Sequence, residues 1–234
     1  MRNGECFVLL GGGEEEKRNL LRNVILSSFG SCRRLSRHIV DSITSFPFSL
    51  HWSAELRGSH LRMTEEVFVY PEDEEKGFHD MKGAYYPLEF FIENIGPYPY
   101  EELFNVQSTT RFGGMENAGC IFYDEDAITG KGTMDDLLAH EIAHQWFGNS
   151  VTEANWEHLW LSEGFATYFT NLNIENRYGR EKMNEQLKED RLRIIGFSEQ
   201  IMLPVIDTIS TNLMPVFRNK RLYLVPGTGI LYSL

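Results

Sequence analysis

The chain has 234 residues, 42% of them hydrophobic and 24% charged, enough for one large domain or two small ones around a real core. Its 16 Phe, 10 Tyr and 4 Trp exclude a disordered chain, its 20 Gly and 8 Pro follow no period, and no apolar run approaches the ~20 residues of a membrane helix. A formal net charge of −12 argues against a nucleic-acid partner, and the charge is uneven: +2 over residues 1–60, −17 over 61–214 and +3 over 215–234.

Residues 1–60 show little pattern. Gly11–Gly13 before Glu14–Glu16 suggests a loop entering a short helix, without the Lys-Ser/Thr ending of a phosphate loop. Arg33, Arg34 and Arg37 read as a solvated basic face. The apolar stretch Cys6–Leu10 is shorter than the roughly 7–15 residues of a signal-peptide core. Cys6, Cys32 and Cys120 make no Cys-x-x-Cys pair and read as free thiols. Both features point to the cytoplasm if Met1 is the true start.

From residue 61 the pattern becomes regular. Glu66–Tyr70 predicts a strand ended by Pro71, and the acidic run Glu72–Glu75 predicts a solvated loop. Tyr86–Ile95 predicts a helix, with Leu88, Phe91, Ile92 and Ile95 on one face and Gly96-Pro97 as its stop. Phe104–Thr110 and Gly119–Tyr123 predict strands. Thr133 and Asp136 have the spacing of a capping box, opening a helix whose apolar positions are Leu137, Leu138, Ile142 and Phe147, with Gly148 after it. A second helix is expected over Leu159–Tyr178, with Phe165, Ala166, Phe169 and Leu172 inward and Gly179 closing it. A third, densely charged, is expected over Glu181–Ile195, stopped by Gly196. Trp146, Phe147, Trp156 and Trp160 are expected in the core.

The stretch His140-Glu141-Ile142-Ala143-His144 carries the chemistry. On a helix, positions i and i+4 lie about 40° apart around the axis and ~6 Å along it. Both imidazoles then point at one place, as two ligands of a tetrahedral Zn²⁺ must. Glu141, one step round the helix, can reach a water at the metal without being a ligand, the metalloprotease arrangement. A catalytic zinc needs a third protein ligand. Glu163, early on the next predicted helix and eighteen residues beyond His144, is the candidate. Hydrogen-bond partners must fix the histidine tautomers, and Asn149, Asn155 and Asp136 are near enough in sequence to do so. His158 is expected to be a surface or packing histidine.

This spacing resembles the gluzincin metallopeptidases, and specifically the aminopeptidase N family. The surrounding residues His140–Ser150 and Trp160–Tyr168 agree, and Gly113-Gly114-Met115-Glu116-Asn117 is similar to that family's exopeptidase motif. The resemblance covers residues 61–214 and implies a thermolysin-like α+β catalytic domain, a small sheet followed by helices. Residues 1–60 form an N-terminal segment and 215–234 a tail without family match.

The resemblance also implies the activity. One Zn²⁺ is held by His140, His144 and Glu163, with Glu141 as general base. The substrate is a peptide with a free N-terminus. Glu116 meets its α-ammonium, while Gly113, Gly114, Met115 and Asn117 form the strand edge on which it pairs. The family's catalytic tyrosine has no good counterpart: Tyr223 and Tyr232 fall at about the right distance, but their surroundings resemble nothing in the family. The chain is therefore expected to be an incomplete catalytic domain. Rival readings are a zinc-binding fragment without turnover, an endopeptidase, which Glu116 argues against, and the family's epoxide-hydrolase branch.

Overall fold

A computed structural model describes residues 6–7, 50–57, 62–100, 102–110 and 113–200. The segments 11–16, 33–37 and 201–234, which hold the glycine triplet, the arginine cluster, the unmatched tail, Tyr223 and Tyr232, lie outside the described residues. The chain forms two compact units. The first draws on Met1–Tyr85 and Pro97–Leu137, the second on Tyr86–Gly96 and Leu138–Leu234.

Among the described residues, the first unit is built on a six-stranded sheet. Its strands are β1 (Cys6–Phe7), β2 (Leu50–Arg57), β3 (Arg62–Val69), β4 (Glu102–Ser108), β5 (Gly114–Met115) and β6 (Cys120–Asp124), in the order β1-β2-β3-β4-β6-β5. The β3/β4 and β4/β6 pairs are parallel, and the others antiparallel. Central β4 is buried on both faces, and Leu103, Phe104 and Val106 pack in a core with Val67, Phe68, Ile121 and Phe122. Burial of this kind contributes about 1.5–3 kcal/mol per large apolar side chain.

The predicted strand at Glu66–Tyr70 is only the second half of β3. Its first half, Arg62–Glu65, carries polar residues, yet it pairs along its length with β2, so ladder hydrogen bonds rather than composition make it a strand. The acidic run is helical, not a loop. Pro71–Asp73 forms a 3₁₀ turn, and Glu74 and Glu75 open helix α1 (Glu74–Met81), where carboxylates suit the helix dipole. Glu72, Glu74 and Glu75 stay exposed, as expected of a solvated run.

One polar group in this unit lies deep. Glu65 is fully buried; Asn105 donates to its Oε1 at 3.1 Å, and Tyr123 donates to Asn105 Oδ1 at 3.0 Å. Burial pushes the Glu65 carboxyl up to about 8, against the lowering effect of Asn105, so at neutral pH it is mostly a neutral acid.

The second unit is helical. Helix α2 (Tyr85–Asn94) contributes from Tyr86 onward and α3 (Asp135–Ala143) from Leu138, joined by α4 (Trp160–Tyr178) and α5 (Arg180–Gln200). Its apolar centre holds Leu88, Phe91, Leu138, Ile142, Trp146, Ala166 and Ile174. The Phe91 ring stands edge-on to Trp146 and Phe169, while Phe147 stacks on Phe165 and Phe169 at 5.0 Å each.

Trp146 is a core residue as expected, whereas Phe147 and Trp160 are half-buried; the Trp156 side chain lies outside the described residues. Ala166 is buried, but Phe165, Phe169 and Leu172 are half-buried. Much of the buried face of α4 is polar instead: Ser162, Glu163, Thr170, Asn171 and Asn173.

Gly179 closes α4 at φ +90, a backbone region open to glycine. Gly196 does not stop α5, which continues to Gln200. A glycine inside a helix costs roughly 1 kcal/mol against alanine, which weakens a helix without ending it. The sheet followed by helices gives the expected α+β class. No helix among the described residues is long and apolar enough to cross a membrane.

Candidate metal centre

Helix α3 begins at Asp135, one residue later than a cap at Thr133 requires, with Asp135 and Asp136 in its first turn. It ends at Ala143, short of the expected Phe147. There the hydrogen bonds tighten: Gln145 N–H reaches Ile142 O, and Trp146 N–H reaches Ala143 O. His144 keeps the helical bond, its N–H donating to His140 O at 3.2 Å, so both histidines stay on one face.

The tight turn has a chemical consequence. It brings the Phe147 carbonyl to 2.9 Å from His144 Nδ1. A carbonyl only accepts, so Nδ1 carries the proton, and Nε2 is the nitrogen turned towards Glu163 and His140. A main-chain carbonyl thus orients His144 through Nδ1, and no side-chain pattern announces it.

Gly148 follows at φ +125. A Cβ there would lie 3.2 Å from His144 Nδ1 and 3.3 Å from Ser162 Cβ, so glycine admits the close approach of the histidine ring to the first turn of α4.

That first turn supplies Glu163, which is 8% exposed; His144 is buried and His140 is partly open. His140 Nε2 lies 3.3 Å from Glu163 Oε2, His144 Nε2 lies 3.5 Å from it, and the two Nε2 atoms are 3.1 Å apart. Burial alone raises the Glu163 carboxyl, but the charge of His144, hydrogen bonds with His140 and His144, and the charge of His140 outweigh it and hold it down at about 2. It is an ionised acceptor between two imidazoles.

These three residues can hold a metal ion. Ligand atoms ~2.0–2.2 Å from a tetrahedral centre are about 3.4 Å from one another, close to the three separations found here. Two imidazoles and one carboxylate also form a donor set used by zinc peptidases. Glu141, the next residue along α3 from His140, is buried. His158 is partly exposed beside Glu157 at 3.4 Å and stands outside the group, as expected.

The other predicted site residues belong to the first unit. Gly114 and Met115 form β5, which among the described residues stands at the edge of the sheet and pairs only with β6. Gly113 O accepts from Asp124 N–H at 3.0 Å, and a tight turn at Asn117 returns the chain to β6. Met115 is exposed, and Glu116 and Asn117 are half-buried. Among the described residues, a Cβ at Gly113 would meet only the Leu137 methyls at 3.7 and 3.8 Å, ordinary contact. The chain's own packing there does not require glycine.

The profile described as "Peptidase family M1 domain" matches residues 81–201, just over half of the chain. A glutamyl aminopeptidase of Sus scrofa is 31% identical over 209 residues, covering 81% of this chain and 20% of that protein. A leukotriene A-4 hydrolase homolog of Botryotinia fuckeliana is 33% identical over 147 residues, covering 56% of this chain and 23% of that protein. The chain thus spans less than a quarter of the length of these two relatives.

The solved structure of yeast LTA4 hydrolase in complex with bestatin superposes with a TM-score of 0.65 at 19% identity, covering 72% of this chain and 28% of that one, a likeness of fold. M1 is a family of metallopeptidases, and its profile spans the His140, His144 and Glu163 cluster. The chain belongs to peptidase family M1.

Proposed function

We propose that this chain is the catalytic part of a zinc aminopeptidase that releases the N-terminal residue of unblocked peptides. The observation that carries the reading is the mutual 3.1–3.5 Å spacing of His140 Nε2, His144 Nε2 and Glu163 Oε2. These three residues hold the zinc, with His144 oriented through Nδ1 by the Phe147 carbonyl. Bound there, zinc supplies positive charge that acidifies a water and polarises a peptide carbonyl.

Glu141 takes the proton from the attacking water and returns it to the leaving amine. Its position one step along from His140 supports this role, since that turns it about 100° from the histidine face. Glu116 holds the substrate ammonium, and the β5 edge pairs with the peptide backbone. Its place at the edge of the sheet among the described residues, paired with β6, supports this pairing.

The test is release of the first residue from a short peptide and its acetylated twin by the zinc-loaded 234-residue chain. Turnover of the free peptide alone, lost on chelation, is expected. Equal turnover of both peptides refutes the exopeptidase assignment. A second reading, an epoxide hydrolase, draws on the name of the Botryotinia relative. Epoxide opening without peptide release selects it. Zinc uptake without either reaction selects a zinc-binding fragment.

A further inference from the structure

Glu163 lies in the first turn of α4, where a helix leaves its N–H groups without partners inside the helix. The residue before that helix, Leu159, offers no side-chain cap. Glu163 N–H itself makes an early bond of the helix, to Leu159 O at 3.2 Å. A ligand in an uncapped first turn needs another hold on that turn.

The loop from α3 supplies one, and all of its parts belong to the second unit. Its start is held by the main chain: Asn149 N–H donates to His144 O at 3.1 Å, and Gly148 N–H to Val151 O at 2.8 Å. Two residues on, Glu153 reaches α4. The hydroxyl of Ser162, the residue before Glu163, donates to Glu153 Oε1 at 3.3 Å and shares its proton with Leu159 O at 3.1 Å. Ser162 is buried. The other Glu153 oxygen, Oε2, is also buried and meets no donor among the described residues. Ser162 is thus the donor through which this carboxylate holds the turn, and bonds to a carboxylate are stronger than neutral ones.

We propose that Glu153 is a positioning residue for Glu163: through the Ser162 hydroxyl it holds the uncapped first turn of α4, and so keeps the Glu163 carboxylate against His140 and His144. This rests on the reading of those three residues as metal ligands.

The test is the Zn²⁺ affinity of the 234-residue chain, read by competition with a chromophoric chelator at a temperature where circular dichroism shows every chain fully folded. Glu153→Ala and Ser162→Ala are each expected to weaken it about tenfold, the low end for groups that orient ligands. The double variant is expected to lose no more than the larger single loss, because both changes break one bond. Glu153→Gln, whose amide oxygen still accepts, is expected to bind like the unsubstituted chain. Unchanged affinity in Glu153→Ala overturns the proposal, because a merely structural tie does not move the affinity of the folded chain. Equal losses in Glu153→Gln and Glu153→Ala also overturn it, since they assign the effect to charge and not to position. So do losses that multiply in the double variant.

Should Glu153→Ala fail to fold, Ser162→Ala is judged beside Glu153→Gln in the same way. If the unsubstituted chain takes up no Zn²⁺, the metal reading fails separately. The tie is then judged on the metal-free Glu163 amide: faster hydrogen exchange by NMR in Glu153→Ala sustains it, and unchanged exchange ends it.

Discussion

At the residue scale, the roles of the metal centre are separable by substitution. Glu141→Gln keeps the shape of the side chain and removes the proposed base. Zinc content by elemental analysis is expected to stay at the wild-type level while peptide release falls by about 10²-fold or more. Retained turnover with zinc bound would remove Glu141 from proton transfer. His144→Ala deletes a proposed ligand whose other nitrogen is already engaged by Phe147 O. It is expected to abolish zinc binding in the same assay, and unchanged metal content would dismiss it as a ligand.

Glu65 makes a different prediction. Its carboxyl is raised from 4.5 to about 8 by burial, so the folded chain holds a proton that the unfolded chain releases above pH 4.5. The stability this proton contributes is full below pH 4.5 and is lost as pH rises through about 8. The slope within that window approaches about 1.4 kcal/mol per pH unit. Urea unfolding of the first unit followed across about pH 5–9 is expected to show this fall, and Glu65→Gln to flatten it.

At the scale of elements, the seam between the end of α3 and the start of α4 depends on one glycine. Gly148→Ala must place a Cβ at 3.2 Å from His144 Nδ1 and 3.3 Å from Ser162, at a φ of +125 that alanine rarely adopts. Strained backbone of this sort costs about 1–3 kcal/mol. The variant is expected to melt several degrees lower and to bind zinc more weakly than wild type. A melting temperature and zinc affinity equal to wild type would show that the seam yields without cost. The seam also explains why α3 is shorter than its apolar pattern: the turn after Ala143 brings Phe147 O to His144, an arrangement a continuing helix could not make.

At the scale of the whole molecule, metal and folding are linked. The cluster draws on α3, the turn after it and α4, so an ion that binds the folded site raises its stability by mass action, about 2.7 kcal/mol at a hundredfold excess over Kd. Melting in saturating Zn²⁺ and after chelation is expected to differ by several degrees, and an unchanged midpoint would argue that no ion is held in the folded state. The acidic middle of the chain, −17 over residues 61–214, suits the proposed substrate with its positive amino end, though salt screens such steering.

The metal cluster is legible in the sequence because its chemistry is local. His140 and His144 are one helical turn apart, and Glu163 follows at a spacing that a helix–turn–helix can close. The helix over Trp160–Tyr178 and its Gly179 stop, and the strands around Phe104 and Ile121, are legible for a similar reason: side-chain periodicity and turn residues act over a few positions.

Only the tertiary structure decided contacts between distant backbone and side chains. Examples are the polar half of β3 held by β2, the buried Glu65–Asn105–Tyr123 chain and the Phe147 carbonyl on His144. The Thr129 and Gly130 N–H groups that donate to Asp80, some fifty positions away, are another. Such contacts are set by which segments the fold brings within hydrogen-bond reach, and nearly every residue offers the same N–H and C=O whatever its side chain.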